Sequence, residues 1–372
     1  MQPLRVFHLI TGLGDGGVEA ILYSLLSCQR TGPHFVLSLS GQDKYTKPLS
    51  AHATVFSLNL YSLSPNIFAF FGFIHRVFQY NPNAIQGWMY HGCFAASIIS
   101  LVFPKAKLFW SLHNTILEPG SSKRLTILIS KLLSIVSHFS KPTIIYCADS
   151  AMSSHISRGY ASSRSIVINN GYDFTMFKPS ESKSFSSFQS GSIATFNLSM
   201  IARFDPYKDH HTLLQALSIL NRQDYDFHCF LVGKGVDSNN LYLSSLIAEL
   251  DIQNKVILCG QISNIPRFLS NIDVNLLSST AEAFPNVLVE SMACGVPCVS
   301  TNVGDASKIL DGLGEIVPPS SPALFADGII KLIKLKSNSS LWYKLKSDCS
   351  LSVSARFSIE KMSDMYNIAW HS

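Results

Sequence analysis

Two glutamates stand eight apart in the stretch Glu282-Ala283-Phe284-Pro285-Asn286-Val287-Leu288-Val289-Glu290-Ser291-Met292-Ala293-Cys294-Gly295-Val296-Pro297. Pro285 sits where a helix would begin, Val287, Leu288 and Ser291 supply a helical face, and Gly295 is placed to end it. Glu282 then lies in the loop before the helix and Glu290 on its inner turns. Both follow the apolar run Val274–Leu277, at the carboxyl end of a strand, where open α/β sheets take ligands. Carboxylates there suit bidentate hydrogen bonds to vicinal hydroxyls, while the helix N–H groups face phosphate. The plainer reading is a helix-terminal Glu plus a solvated one.

A second cluster is Ile201-Ala202-Arg203-Phe204-Asp205-Pro206-Tyr207-Lys208-Asp209-His210. Arg203 follows a strand-like run and Lys208 comes five later, around a proline turn. Two cations at a strand's carboxyl end can clamp a departing pyrophosphate, although an exposed loop carries such a pair just as readily. Near the start, Leu4–Ile10 leads into Gly12, Gly14, Gly16 and Gly17. Gly12, Gly14 and Gly17 fit G-x-G-x-x-G between a strand and a helix, the form of a dinucleotide site. The acid such a site wants at the end of the second strand is absent, since Asp43 falls beyond it. A glycine loop facing a phosphate or a substrate fits better. Asp224-Tyr225-Asp226 precedes a strand and reads as a turn.

Short apolar runs alternate with helical stretches in both halves, the pattern of βαβ units. Strands are expected at Leu4–Ile10, Phe35–Leu39, Thr54–Leu58, Ala84–Trp88, Leu108–Leu112, Thr143–Cys147 and Ser165–Ile168. In the second half they are expected at Leu198–Ala202, Phe227–Val232, Val256–Cys259, Val274–Leu277 and Pro297–Thr301. A stretch with seven Ser from Ser180 to Ser192 reads as a linker. The division is then 1–180, a linker over 181–192, and 193–357, with a last helix at about 358–372 free to pack back on the first domain.

The E-x7-E block, the "ARFDPYKD" turn and "NNGYDFTMFKP" (169–179) together resemble the group 1 glycosyltransferases, the retaining glycosyltransferase family 4. So do "VGKG" (232–235), "IDVNLLSS" (272–279) and "ARFSIEKM" (355–362). The resemblance covers nearly the whole chain and is strongest from about 195 to 305. It implies an α/β GT-B fold, two Rossmann-like domains with parallel sheets facing a central cleft. It further implies a nucleotide-diphosphate sugar, expected to be UDP-linked, as co-substrate, with no metal and no other cofactor. By this resemblance Arg203 and Lys208 match the diphosphate-binding pair, Glu282 the residue on the donor sugar, and Glu290 the one on the ribose. Phe284, Pro285 and Asn286 complete the donor side. His113, at the end of Leu108–Leu112, matches a histidine near the reacting sugar, and Gly16 and Gly17 match glycines that approach phosphate or acceptor. His91 could face the acceptor. The stretch Asn302-Val303-Gly304-Asp305 departs from the family's Gly pair and Glu, which puts loop contacts there in question.

Without a second acid flanking the anomeric carbon, retention implies front-face attack, with the phosphate taking the acceptor's proton. Hydrophobic residues make up 47% of the chain and charged residues only 14%, against roughly 25% in ordinary soluble proteins. No run reaches the roughly 20 residues of a membrane span. Residues 1–180 carry 14 Lys/Arg and 6 Asp/Glu, whereas 181–372 carry 15 and 18. A basic first half fits a lipid-linked glycan acceptor met at an anionic membrane surface, with Lys123, Arg124, Lys131 and the aromatic run Phe68 to Phe73 as a candidate face. Most of the helix after Lys123 is nonetheless expected to pack into the core. No nucleic-acid motif accompanies the basic half. The expectation is a cytoplasmic enzyme, peripheral on the inner face of the plasma membrane, in bacterial surface polysaccharide synthesis. The rivals are an NAD-dependent oxidoreductase using the N-terminal glycine loop and an inactive scaffold of the same fold.

Overall fold

The computed structural model describes residues 4–14, 16–29, 32–41, 43–60, 67–115, 123–180 and 196–372. The chain forms two compact units, one of residues up to Gly171 together with Ile359–Ser372, the other Tyr172–Ser358. The division falls ahead of the boundary expected at 180, because Tyr172 is tied into the second unit by backbone pairing to Phe357 and Ser358. The serine-rich stretch 181–192 lies outside the described residues.

The first unit is a seven-stranded parallel sheet of β1 (Val6–Ile10), β2 (His34–Ser38), β3 (Thr54–Ser57), β4 (Ala84–Trp88), β5 (Lys107–Leu112), β6 (Thr143–Tyr146) and β7 (Ser165–Val167), in the order β3-β2-β1-β4-β5-β6-β7. The second holds β8 (Phe196–Ile201), β9 (Phe227–Val232), β10 (Val256–Gly260), β11 (Val274–Leu277), β12 (Cys298–Thr301) and β13 (Gly314–Val317), in the order β10-β9-β8-β11-β12-β13. The central strands are buried along their whole length, β1, β4 and β11 without a break. Strands covered on both faces read as near-continuous apolar runs, which is why most were visible beforehand. β13 was not expected; its four residues include Gly314 and Glu315 and lie at the sheet's edge.

Each sheet reverses its strand order once, between β1 and β4 and between β8 and β11. Such a switch point leaves a crevice at the carboxyl ends of the two strands, because the flanking connections leave to opposite faces.

The last helix, Ile359–His371, packs on the helix Gly17–Cys28 of the first unit. Polar side chains at this seam are paired in series. Trp370 Nε1 donates to Gln86 Oε1 at 3.0 Å, Gln86 Nε2 donates to Ser111 Oγ, and Ser111 Oγ lies 3.0 Å from Tyr366 OH. Beside them Trp88 Nε1 donates to His8 Nδ1 at 3.1 Å, and His8 Nε2 lies 3.1 Å from His34 Nδ1. That fixes His8 as a neutral ring protonated on Nε2, in keeping with burial and the neighbouring His34, which drive its pKa well down.

Candidate active site

The glutamate and cation motifs come together at the second unit's switch point. Beyond β8, Arg203 enters a turn in which Asp205 Oδ1 accepts from Tyr207 N, and a short 3-10 turn, Pro206–Lys208, follows. Asp209 then caps the helix His210–Arg222, accepting from Thr212 N at 3.0 Å and Thr212 Oγ1 at 2.6 Å. Its backbone is left-handed, φ +47°, a geometry that a short polar side chain tolerates better than a bulky one. Beyond β11, Ser278 Oγ donates to the carbonyls of Lys208 and Asp209, and Thr280 N donates to Tyr207 O at 2.8 Å. The two strand-end loops are therefore laced to each other.

Lys208 Nζ reaches Glu282 Oε1 at 2.5 Å, and Ser279 Oγ donates to the same oxygen at 2.7 Å. Both partners are largely buried. Lys208 carries three donors, so its contact with Glu282 leaves donors for an anion. Arg203 is placed differently from the simple two-cation clamp: its Nε and Nη2 hold Asp205 Oδ2 at 3.1 and 2.9 Å, and the side chain is mostly exposed. Burial pushes Asp205 up, but the hydrogen bonds from Arg203 and Tyr207 outweigh it and hold the carboxyl below its ordinary range. Asp205 is thus a positioning residue that spacing alone did not single out.

The helix Asn286–Ala293 begins at Pro285 with no side-chain cap; Leu288 N closes on Pro285 O at 3.0 Å, and the helix start carries the positive end of the dipole. Tyr172 OH donates to Asn286 Oδ1 at 2.5 Å and anchors this start. Phe284 is buried edge-on against Phe357, centroids 5.3 Å apart. Its side chain is therefore core, and Phe284 can meet a ligand only through its backbone. Gly295, φ +70°, ends the helix, with Val296 N bonded back to Ser291 O. Glu290 is half-buried one turn earlier. Among the described residues its carboxyl has no ionic or hydrogen-bonding partner, and burial raises its pKa from 4.5 to about 7. Gly304 supports the Glu282 loop from beneath. At φ +55°, a Cβ there would stand 2.3 Å from Ala283 O and 2.7 Å from Glu282 O. The segment that departs from the family pattern thus still supplies the glycine this loop needs.

The first unit collects its candidates at its own switch point. Gly16 caps the helix Gly17–Cys28, and a Cβ on it would meet the Glu19 carboxylate at 2.2 Å. Glu19 therefore folds back over the helix start to which Gly16 and Gly17 had been assigned as an approach for phosphate. His91 lies in the first turn after β4, its pKa lowered by burial and by Lys123. His113 follows β5 and stacks on Trp88 at 5.8 Å. Burial lowers its pKa to about 4 despite a hydrogen bond with Asn170, so at neutral pH it is an uncharged imidazole. Asp224 is a left-handed turn residue and Asp226 pairs with Lys255 at 3.0 Å, on the amino side of β9. Among the described residues no group of three or more His, Cys, Asp or Glu is arranged to hold a metal.

Two Rossmann-like α/β units, one with paired acid and base at its switch point beside an uncapped helix start, define a GT-B protein. Residues 189–346 match the family model "Glycosyl transferases group 1". Among curated proteins it is 28% identical over 173 residues to N-acetyl-alpha-D-glucosaminyl L-malate synthase of Bacillus anthracis, covering 46% of this chain and 44% of that one. It is 31% identical over 115 residues to a Campylobacter jejuni N-acetylgalactosamine-N,N'-diacetylbacillosaminyl-diphospho-undecaprenol 4-alpha-N-acetylgalactosaminyltransferase, covering 31% of this chain and 30% of that one. These matched stretches thus span less than half of either relative. Anabaena HepE, solved in complex with UDP, superposes with a TM-score of 0.81 at 21% identity, over 98% of this chain and 99% of that one. The oxidoreductase alternative finds no support among these relatives.

Proposed function

We propose that the protein is a retaining glycosyltransferase, moving a sugar from a UDP-linked donor to a lipid-linked glycan in the assembly of a bacterial surface polysaccharide. The observation that carries this reading is the contact of Lys208 Nζ with Glu282 Oε1 directly before the uncapped start of the helix Asn286–Ala293. A cation, an acid and the positive end of a helix match a diphosphate joined to a hydroxyl-bearing sugar.

In this reading the diphosphate sits against Lys208, Arg203 and the helix start, Glu282 accepts from donor-sugar hydroxyls, and Glu290 accepts from a ribose diol. The acceptor oxygen attacks the anomeric carbon from the leaving-group side. The bond from that carbon to the phosphate oxygen breaks, its electron pair stays on the diphosphate, and the acceptor's proton passes to a phosphate oxygen. Negative charge grows on the diphosphate as the bond opens. Fixed cations and helix dipoles stabilise that charge by several kcal/mol in a closed site (~3 for one donor).

The Campylobacter relative's name, with its diphospho-undecaprenol acceptor, supports a lipid-borne acceptor and hence a cytoplasmic enzyme peripheral to the inner membrane face. The Bacillus relative's name, with its malate acceptor, supports a second reading, transfer to a small acid. A thermal-shift screen against nucleotide-diphosphate sugars tests the donor assignment, since a bound donor raises the melting point by mass action. No shift from any member on folded protein would remove it. Inverted anomeric configuration in the product, read by NMR, would remove the front-face mechanism.

A further inference from the structure

The helix Arg124–Ser140 turns its apolar residues outward, contrary to the core packing expected for it. It buries Ser130, Leu133 and Ser137, with Ser130 Oγ 3.0 Å from Tyr160 OH and Ser137 Oγ accepting from Ala161 N at 2.9 Å. Leu125, Leu128, Leu132, Ile135 and Phe139 stand exposed, Leu128 by 63% and Phe139 by 81%. Their steps of three and four residues form one stripe about 21 Å long. The helix Met89–Val102 packs alongside and adds Ile98, Leu101 and Val102, with Leu101 81% exposed. Where both helices end lies a cavity of about 630 Å³ bordered by Leu101, Lys107, Lys141 and Arg164. Lys107 Nζ spends one donor on His371 O, and Arg164 Nη1 one on Lys141 O, leaving the others for a ligand. The expected aromatic run divides: Phe73 is core, stacked on Phe56, whereas Phe68 and Phe71 point outward.

Charge decides what covers this face. Residues 44–148 contain nine Lys or Arg and one acid, Glu118. A second copy docking through the stripe would bring two basic faces together, which repel each other. An anionic lipid interface takes both parts, the stripe among the upper acyl chains and the cations at the headgroups. We propose that this face is a membrane-docking surface on which Lys107, Lys141 and Arg164 hold the phosphate of an anionic lipid. The proposal deepens the lipid-borne-acceptor reading and rests on it for its purpose, but vesicle binding is measured without any donor.

The test is co-sedimentation of the full chain with phosphatidylcholine vesicles, with and without phosphatidylglycerol. Binding to the anionic vesicles should exceed that to the neutral ones by about a hundredfold, about fivefold for each of the three cations, and fall with salt. Leu128→Glu with Ile135→Glu, both at exposed positions, should remove about tenfold or more of the binding with an unchanged circular dichroism spectrum. Lys141→Glu with Arg164→Glu should cut the anionic preference, by about fivefold for each charge. Equal pelleting with both vesicle types, or an indifferent Leu128/Ile135 variant, would overturn the proposal. So would a wild-type dimer that the same variant makes monomeric, because the stripe would then belong to a second copy. Donor-induced thermal shifts on the same samples separate the two readings: a shift without vesicle binding removes only the surface, and vesicle binding without a shift removes only the transferase assignment.

Discussion

Replacing Glu290 by Gln should strengthen the fold while weakening the site, and the two effects should part company with pH. Burial raises this carboxyl from 4.5 to about 7. An acid whose folded pKa is raised binds more protons folded than unfolded between those values, so stability falls as pH rises from about 4.5 to 7. At about 1.4 kcal/mol per pH unit, the charged carboxylate takes roughly 3 kcal/mol from the fold at pH 8. Glutamine keeps the shape and never ionises. At pH 8, Glu290→Gln should therefore unfold later by about 6–12 °C, given the 2–4 °C per kcal/mol of a unit this size, and at pH 4.5 it should match the wild type. Nucleotide binding should move the other way. A carboxylate offers two acceptors to a diol and an amide one, so affinity at pH 8 should drop by about tenfold or more. Wild-type affinity should itself decline below pH 7, a dependence the variant lacks. Paired calorimetric melts and nucleotide titrations between pH 4.5 and 8 read all of this. A difference in melting temperature that stays constant across the range would refute the argument, because the carboxyl would not then be a desolvated, titrating group.

Lys208→Ala should lower transferase turnover by about a hundredfold or more, the scale of losing one electrostatic partner of a transition state, and should also lower the melting point, because the largely buried Glu282 carboxylate loses its cation; steady-state kinetics and a melt on one preparation check both. Gly304→Ala forces a Cβ against the Ala283 and Glu282 carbonyls at a left-handed position, which should destabilise by about 2 kcal/mol or more and displace Glu282. Donor titration and a denaturant curve would show it, and a silent variant would refute the close approach. In the first unit His155 is buried, donates Nδ1–H to Ala151 O, accepts from Tyr90 OH, and has a pKa lowered to about 4 by burial. A histidine whose pKa is depressed on folding contributes stability above about 6.5 that is lost as pH falls toward 4. Fluorescence of Trp88, Trp110 and Trp370, all in that unit, should therefore report an earlier melt at pH 4.5 than at 7, and His155→Gln should flatten the difference.

Legibility followed what neighbours did to each segment. Phe227–Val232 and Val274–Leu277 were bounded to the residue because their runs are mostly apolar, broken only by His228 and Asn275, and lie largely buried in the sheet. β8 begins earlier than expected because Asn197 interrupts the apolar run. Its N–H and side chain are satisfied by Asp273 and the Asn271 carbonyl, partners more than seventy residues away. Apolar content after Lys123 marked a helix, observed at Arg124–Ser140, but the side facing the unit was chosen by Tyr160 and Ala161, which pair with small serines and leave the leucines outside. In the site, the spacing of Arg203, Lys208, Glu282 and Glu290 marked the strand ends. It could not show that each cation has its own acid, since Asp205 reads as an ordinary turn residue until Arg203 is seen to grip it. Gly304 was legible only as a departure from a pattern, because its role is set by the carbonyls above it.

Backbone strain separates the two ends of each sheet and says where function has overridden local preference. Most non-glycine residues with positive φ, among them Asn81, Lys141, Asp224, Asp251 and Asp311, sit just after a helix, where a left-handed residue closes the last turn and satisfies carbonyls. Those need no further reason. Asp209 and Met89 are different, with φ of +47° and +59° at helix starts immediately beyond or beside the carboxyl ends of β8 and β4. A helix start gains nothing from a left-handed residue, so such positions persist only where the surroundings over-determine them. At Asp209 the compensation is visible in the cap to Thr212 and the two bonds from Ser278, which also fix Lys208 one residue before. At Met89 the side chain cannot cap, and the left-handed residue turns the chain from β4 directly into the helix that carries His91. Strain and crossed loops thus recur beyond the carboxyl ends flanking the two switch points, whereas the positive-φ residues ahead of β4, β6, β9, β10 and β13 close helices.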